Sequence, residues 1–197
     1  IGFELNSHNI FAKNRMPGLD FWETGGRVNY GLKLSHFFNK EGIFSSMIGQ
    51  SYKFKNPDFF DKGSGLEKKL SDFIIDILFK PKKEITLTYR GRLDKNDINI
   101  RRSEFDMLLN YEKWGIRAGH VLLNNVEILN FKEQRELRFA SFINITERWL
   151  IQSAIRYDEV SKKSLNNRIS LVYIDDCISF EIGFRRKFSE YRDLKPS

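Results

Sequence analysis

The sequence predicts an all-β chain, an antiparallel up-and-down transmembrane β-barrel wall of about ten strands, forming a partial barrel. Three observations carry that prediction. Apolar and polar residues alternate with period two along nearly the whole chain. Most alternating runs reach the roughly 9–11 residues that a tilted strand needs to cross a bilayer, against about 5–6 in soluble sheets. Aromatic residues gather near the ends of the runs, at Tyr52, Phe54, Trp114, Trp149, Tyr157, Tyr173 and Phe188, as they do at membrane interfaces.

In chain order, strands are expected over 27–37 and 43–54, separated by the turn Asn39–Gly42. One long loop, Asn56–Leu70, then leads to strands at 71–80 and 84–94 around the turn Pro81–Lys83. In 84–94, Ile85, Leu87, Tyr89 and Leu93 share one face, and Thr86, Thr88, Arg90 and Arg92 share the other. After Asp94–Asp97 come strands at 97–111 and 114–123, with Asn124–Asn125 as the next turn. Further strands are expected over 133–145 and 147–159; in the second, Trp149, Ile151, Ile155 and Tyr157 oppose Arg148, Gln152, Arg156 and Asp158. Ser161–Asn167 precedes the last two strands, 165–176 and 178–188, where Phe180, Ile182 and Phe184 oppose Glu181 and Arg185. A helical period would scatter these arginines among the apolar residues. No linker or low-complexity tract interrupts 1–197, so the chain is expected to be one barrel portion.

Composition narrows the classes further. Of 197 residues, 41% are hydrophobic and 14% aromatic, which excludes disorder. Charged residues reach 30%, high for a helical membrane protein but ordinary for a barrel with wet loops and lumen. The longest apolar stretch, Phe73–Phe79, is broken by Asp76 and far too short for a transmembrane helix. A signal-peptide core is not found near Ile1. The net charge of +7 favours an acidic partner without choosing among nucleic acid, anionic lipid and phosphorylated glycolipid.

Chemistry-bearing patterns are missing from the sequence. His8, His36 and His120 lack metal-ligand spacing, and Asp175, Asp176 and Cys177 alternate in direction and cannot chelate together. No catalytic triad, phosphate-cradling glycine loop or carboxylate pair occurs, so no enzymatic activity and no cofactor are expected.

Four stretches, in order along almost the whole chain, resemble the LptD family of lipopolysaccharide-assembly proteins (organic solvent tolerance proteins), in its C-terminal barrel portion. Asn9–Gly31 is similar to a family stretch at Asn9, Phe11, Asn14, Arg15, Gly18, Asp20, Glu23, Gly26, Arg27, Tyr30 and Gly31, with Phe21 where a basic residue is usual. Ile48–Tyr52 (IGQSY) and Gly63–Asp72 (GSGLEKKLSD) look like the strand start and loop that follow. Tyr173–Phe184 with Arg192–Ser197 resembles the C-terminal strand pair and tail of alphaproteobacterial members.

The resemblance implies a cell outer-membrane location and a part in placing lipopolysaccharide in the outer leaflet. It also implies a plug lipoprotein of the LptE kind in the lumen. A periplasmic bridge of the LptA kind would be reached through a jellyroll domain preceding Ile1. Gly18, Gly26, Gly63 and Gly65 are expected to serve turns or bulges. Asn14, Arg15, Asp20, Glu23, Arg27 and Asp72 are expected to fix backbone position, the charged residues of the first stretch as an ion-pair cluster. The basic residues Arg90, Arg92, Arg101, Arg117, Arg138, Arg148, Arg156 and Arg185 are expected in the lumen. There they balance acids, and a subset (Arg90, Arg92, Arg117, Arg148, Arg156, Arg185) is available to phosphates of lipopolysaccharide, since the guanidinium fork matches phosphate. For Cys177 the resemblance implies a disulfide to a cysteine of the preceding region; by itself the residue reads equally well as a packed thiol.

Two rivals stay open at this level. One is another outer-membrane barrel, such as a porin, autotransporter or receptor. The other is a soluble basic β-protein that stacks nucleic-acid bases, but its aromatics should share a face with Arg and Lys. Here they share a face with Ile and Leu, so no nucleic-acid partner is expected.

Overall fold

A computed structural model describes residues 4–15, 23–38, 40–55, 60, 62–126 and 131–188. Ten strands follow one another: β1 (Arg27–Phe38), β2 (Gly42–Lys53), β3 (Phe73–Lys82), β4 (Ile85–Leu93), β5 (Ile100–Asn110), β6 (Trp114–Val126), β7 (Phe131–Asn144), β8 (Trp149–Asp158), β9 (Lys163–Ile174) and β10 (Ser179–Lys187). They form one sheet in the order β1 to β10, every neighbour antiparallel, as the alternation predicts. The sheet is open: β1 and β10 are its edges.

Strand ends depart from the sequence in informative places. β5 begins at Ile100, not 97, because Ile98 takes a left-handed φ of 57° and closes a turn by donating its N–H to the Asp94 carbonyl. The turn expected at Pro81–Lys83 is displaced. β3 runs to Lys82 through a bulge between Phe79 and Lys82, and a bulge is where a strand tolerates proline. Asn124 and Asn125 lie inside β6 and not in a turn, while β9 starts at Lys163, just past Lys162 with its φ of 54°.

The register settles which side chains share a face. One continuous face carries Leu32, Ile48 and Ile75 at β1–β3, then Tyr89, Phe105, Leu137 and Tyr157 further along. Towards β10 it carries Ile151, Leu171 and Ile182. Many of these are well exposed, with Ile182 at 60% and Leu32 at 59%, although water gives them nothing in return. At one end of the strands this face bears a row of rings, where Trp149 and Tyr173 sit 5.0 Å apart and Tyr111 stacks on Trp114 at 4.7 Å. Tyr52 and Phe54 meet edge-on at the opposite end. An apolar belt between two aromatic rows is the outer surface of a membrane barrel.

The small core lies on the opposite, inner face. Residues 4–15 and the loop before β3 fold back over β1–β5, where Leu5, Ile10 and Leu66 pack on Ile74, with Met47 and Phe60 at their edge. Gly31 and Gly49 stand opposite each other in the β1–β2 ladder. A Cβ on Gly49 would come within 3.0 Å of Ile10, and one on Gly31 within 3.2 Å of the Phe11 ring. Bare backbone at this pair is what lets the segment lie flat on the wall.

Candidate functional site: the inner wall

Two polar locks hold the folded-back segment. In the first, Glu23 accepts from Arg15 at 2.8 and 2.6 Å, pairs with Lys53 at 2.7 Å, and also meets Arg27. Asn14 accepts from the Glu23 amide, and Arg27 donates to the carbonyls of Ala12 and Lys13. Burial by itself would raise the Glu23 carboxyl, but the hydrogen bonds from Arg15 and Lys53 outweigh it and hold it below the usual carboxylate range. Gly26 lies under the Phe54 ring, where a Cβ would come within 2.9 Å. Gly18 and Asp20, expected in the same cluster, lie outside the described residues. Lys53 was not singled out in the sequence; its place opposite Arg27 in the register puts it there.

The second lock is built around Arg92. Gly63 and Gly65 both take left-handed φ, 85° and 80°, a conformation that favours glycine. Their turn presents the carbonyls of Gly63 and Ser64 to Arg92 at 2.7 and 2.8 Å. Asp72 and Glu4 stand 3.6 and 3.8 Å from the same guanidinium. Burial pushes the Asp72 carboxyl up, and Arg92 only partly offsets it. Arg102, opposite Arg92 in the ladder, joins Glu4 and Glu104, and Ser7 donates to Asp76 at 2.7 Å. Arg92 is buried, and both terminal nitrogens of its guanidinium are engaged by the carbonyls of Gly63 and Ser64.

Other expected lumen arginines fall in distinct places. Arg90, Arg117, Arg138, Arg156 and Arg185 do lie on the inner face by register. Arg90 reaches Glu104 and Asp106 at 3.8 and 3.6 Å. Arg156 clasps Glu136 through two bonds of 3.0 and 2.7 Å, and Arg138 reaches the same acid at 3.3 Å. Arg185 donates to Asn166, and Arg168 pairs with Glu181. Arg148 is instead in the turn before β8, 3.4 Å from Asp175. Arg101 is the extra residue of the bulge at the start of β5, where Leu93 pairs with Ile100, and is tied at 2.6 Å to Asp94 in the β4–β5 turn. Hydrogen bonding from Arg101 holds Asp94 down to about 2.

The two strand ends differ in their connections. At the end carrying Trp114 and Trp149 every link is short, while the other end bears the long connection between β2 and β3 and the folded-back segment. Cys177 is exposed in the β9–β10 turn, at the short-turn end. Among the described residues no group of His, Cys, Asp and Glu is placed to hold a metal.

A long-stranded antiparallel wall, apolar and ringed by aromatics outside, charged and partly covered inside, defines an outer-membrane β-barrel protein. A family model described as LPS transport system D matches residues 2–149, and the chain belongs to the LptD family. The family works in lipopolysaccharide transport at the outer membrane and is not an enzyme. Motif residues from Asn14 to Asp72 and both locks fall within the match, while β9 and β10 extend the same sheet beyond it.

Proposed function

We propose that residues 1–197 are the C-terminal part of the barrel wall of a translocon that sets lipopolysaccharide into the outer leaflet. The observation that carries this is the division of faces in a chain of this family: aliphatic and aromatic side chains outside, guanidiniums inside. Acyl chains cannot drag phosphates and sugars through hydrocarbon at acceptable cost, and a polar inner wall removes that cost. Free edges at β1 and β10 leave backbone groups that lipid cannot satisfy, so further strands of the barrel pair with them. The remaining lumen accepts a plug lipoprotein of the LptE kind, and a periplasmic domain joins the wall to a bridge of the LptA kind.

A photo-crosslinking residue at Thr88, on the inner face, is expected to form lipopolysaccharide adducts that vanish when synthesis of new lipopolysaccharide is blocked. The same residue at Ile151, on the outer face, should form adducts with the resident leaflet that persist. No adduct at Thr88 would contradict the proposal.

Short turns are the periplasmic ends of such barrels, and the short link that carries Cys177 supports a position on the side of the periplasmic domain. A disulfide requires Cα atoms within about 7 Å, and an exposed turn permits that approach. Cys177→Ser in the full-length protein is therefore expected to leave the barrel folded but abolish the mobility shift between oxidised and reduced samples on electrophoresis. A wild type that shows no such shift would make Cys177 an unpaired thiol.

A further inference from the structure

On the inner face, Arg117, Ala140, Ala154 and Arg168 form one cross-strand row from β6 to β9. Both central positions are alanine, and the next row begins with Gly115, so the wall is thin there and opens a hollow of about 300 Å³. The Phe142 ring lies over Gly115, where a Cβ would come within 2.2 Å of it, and Leu108 bounds the far side. An apolar floor is thus flanked by two guanidiniums, roughly 14 Å apart at the backbone from three strand spacings. Arg168 is shared with Glu181, whereas Arg117 has no hydrogen-bond or ion-pair partner among the described residues. The row above adds Arg138 directly opposite Arg156, with Glu136 between them as the shared acid. Two arginines opposite each other with one shared acid leave a net positive charge beside the hollow.

We propose that the hollow is a binding site for an acylated sugar phosphate, with Arg117 and Arg168 each holding a phosphate at one end and the sugar and first acyl carbons lying on Ala140, Ala154 and Phe142. The proposal rests on the lipopolysaccharide reading and names where on the wall that ligand is held. A guanidinium gives phosphate two parallel donors, and the apolar floor adds what a small inorganic anion cannot use. The acid already paired with Arg168 leaves Arg117 as the stronger attractor.

The test uses the full-length protein in detergent and fluorescent lipid A, the bisphosphorylated acylated disaccharide. Arg117→Gln and Ala154→Leu are each expected to weaken binding about tenfold, one by removing charge-assisted hydrogen bonds and the other by filling the floor. Lys33→Gln, a cation on the same face of β1, should leave it unchanged. With dephosphorylated lipid the difference between wild type and Arg117→Gln should disappear. Full competition by millimolar inorganic phosphate would overturn the proposal in favour of a simple anion site. In cells, a photo-crosslinker at Ala154 should capture lipopolysaccharide. An adduct at Thr88 with none at Ala154 would sink the hollow and spare the transport reading, and adducts at neither would sink both. A protein adduct at Ala154 would mean that the plug covers the hollow, and would overturn the proposal.

Discussion

Glu23→Gln is expected to destabilise the folded-back segment and its junction with β1 and β2 by about 3–5 kcal/mol, the usual result of removing one partner from a buried ion pair. Glu23 is the common acid of Arg15, Arg27 and Lys53, and its side chain is 1% exposed. Amidation would leave three cations crowded together out of water with no counter-charge. Amide exchange of Lys53 and of the β1 amides, read in a lipid-refolded sample, should rise by orders of magnitude while β7–β9 stay protected. The pH dependence follows the same logic. The folded-state value for Glu23 is lowered from 4.5, so its contribution is complete above pH 4.5 and is lost as pH falls through the lowered value. The glutamine variant should lack that acid-dependent step. A loss below about 1 kcal/mol would mean that water already screens the cluster.

Ile155→Arg should destabilise the barrel by about 2–4 kcal/mol, because it places a guanidinium near the bilayer midplane. Ile155 stands on the outer face between Phe139 and Asn167, inside β8 and two residues from Tyr157. Ile151→Arg, two residues from Trp149 towards the other end of β8, should cost a similar amount. Gln152→Arg, on the inner face between Phe142 and Ser170, should change stability by no more than about 0.5 kcal/mol. Equal losses for Ile155→Arg and Gln152→Arg in a lipid-refolding titration would contradict the assignment of the faces.

How much of this was legible follows from the range of each interaction. Alternation is local, so the ten strands and their two faces, including Ile151 against Arg156, can be read directly from neighbouring residues. Turns that depend on a single left-handed residue, at Ile98 and Lys162, were misplaced by a few positions because β-branched and charged residues carry no signal for that conformation. The cluster at Glu23 was visible as Arg15, Glu23 and Arg27, but its fourth member, Lys53, needed the β1–β2 register. Glu4 meeting Arg102 was illegible, since only the stacking of β2 to β5 brings those two residues together. The same holds for the hollow. Ala140 and Ala154 are unremarkable in their own strands and become neighbours only when β7 pairs with β8. Arg92 shows the reverse case, an arginine whose inward direction was predictable but whose use in holding Gly63 and Ser64 was not.

The most direct test of the wall is a spin-label scan along β8 in the Cys177→Ser background, with single cysteines placed at each residue from Trp149 to Arg156 in lipid bilayers. Oxygen, which concentrates in hydrocarbon, should reach labels at Trp149, Ile151, Ser153 and Ile155. A water-soluble nickel complex should reach those at Leu150, Gln152, Ala154 and Arg156. Two accessibilities oscillating with period two and out of phase are the predicted result; profiles that rise and fall together would contradict a barrel wall with lipid on one side and a wet lumen on the other.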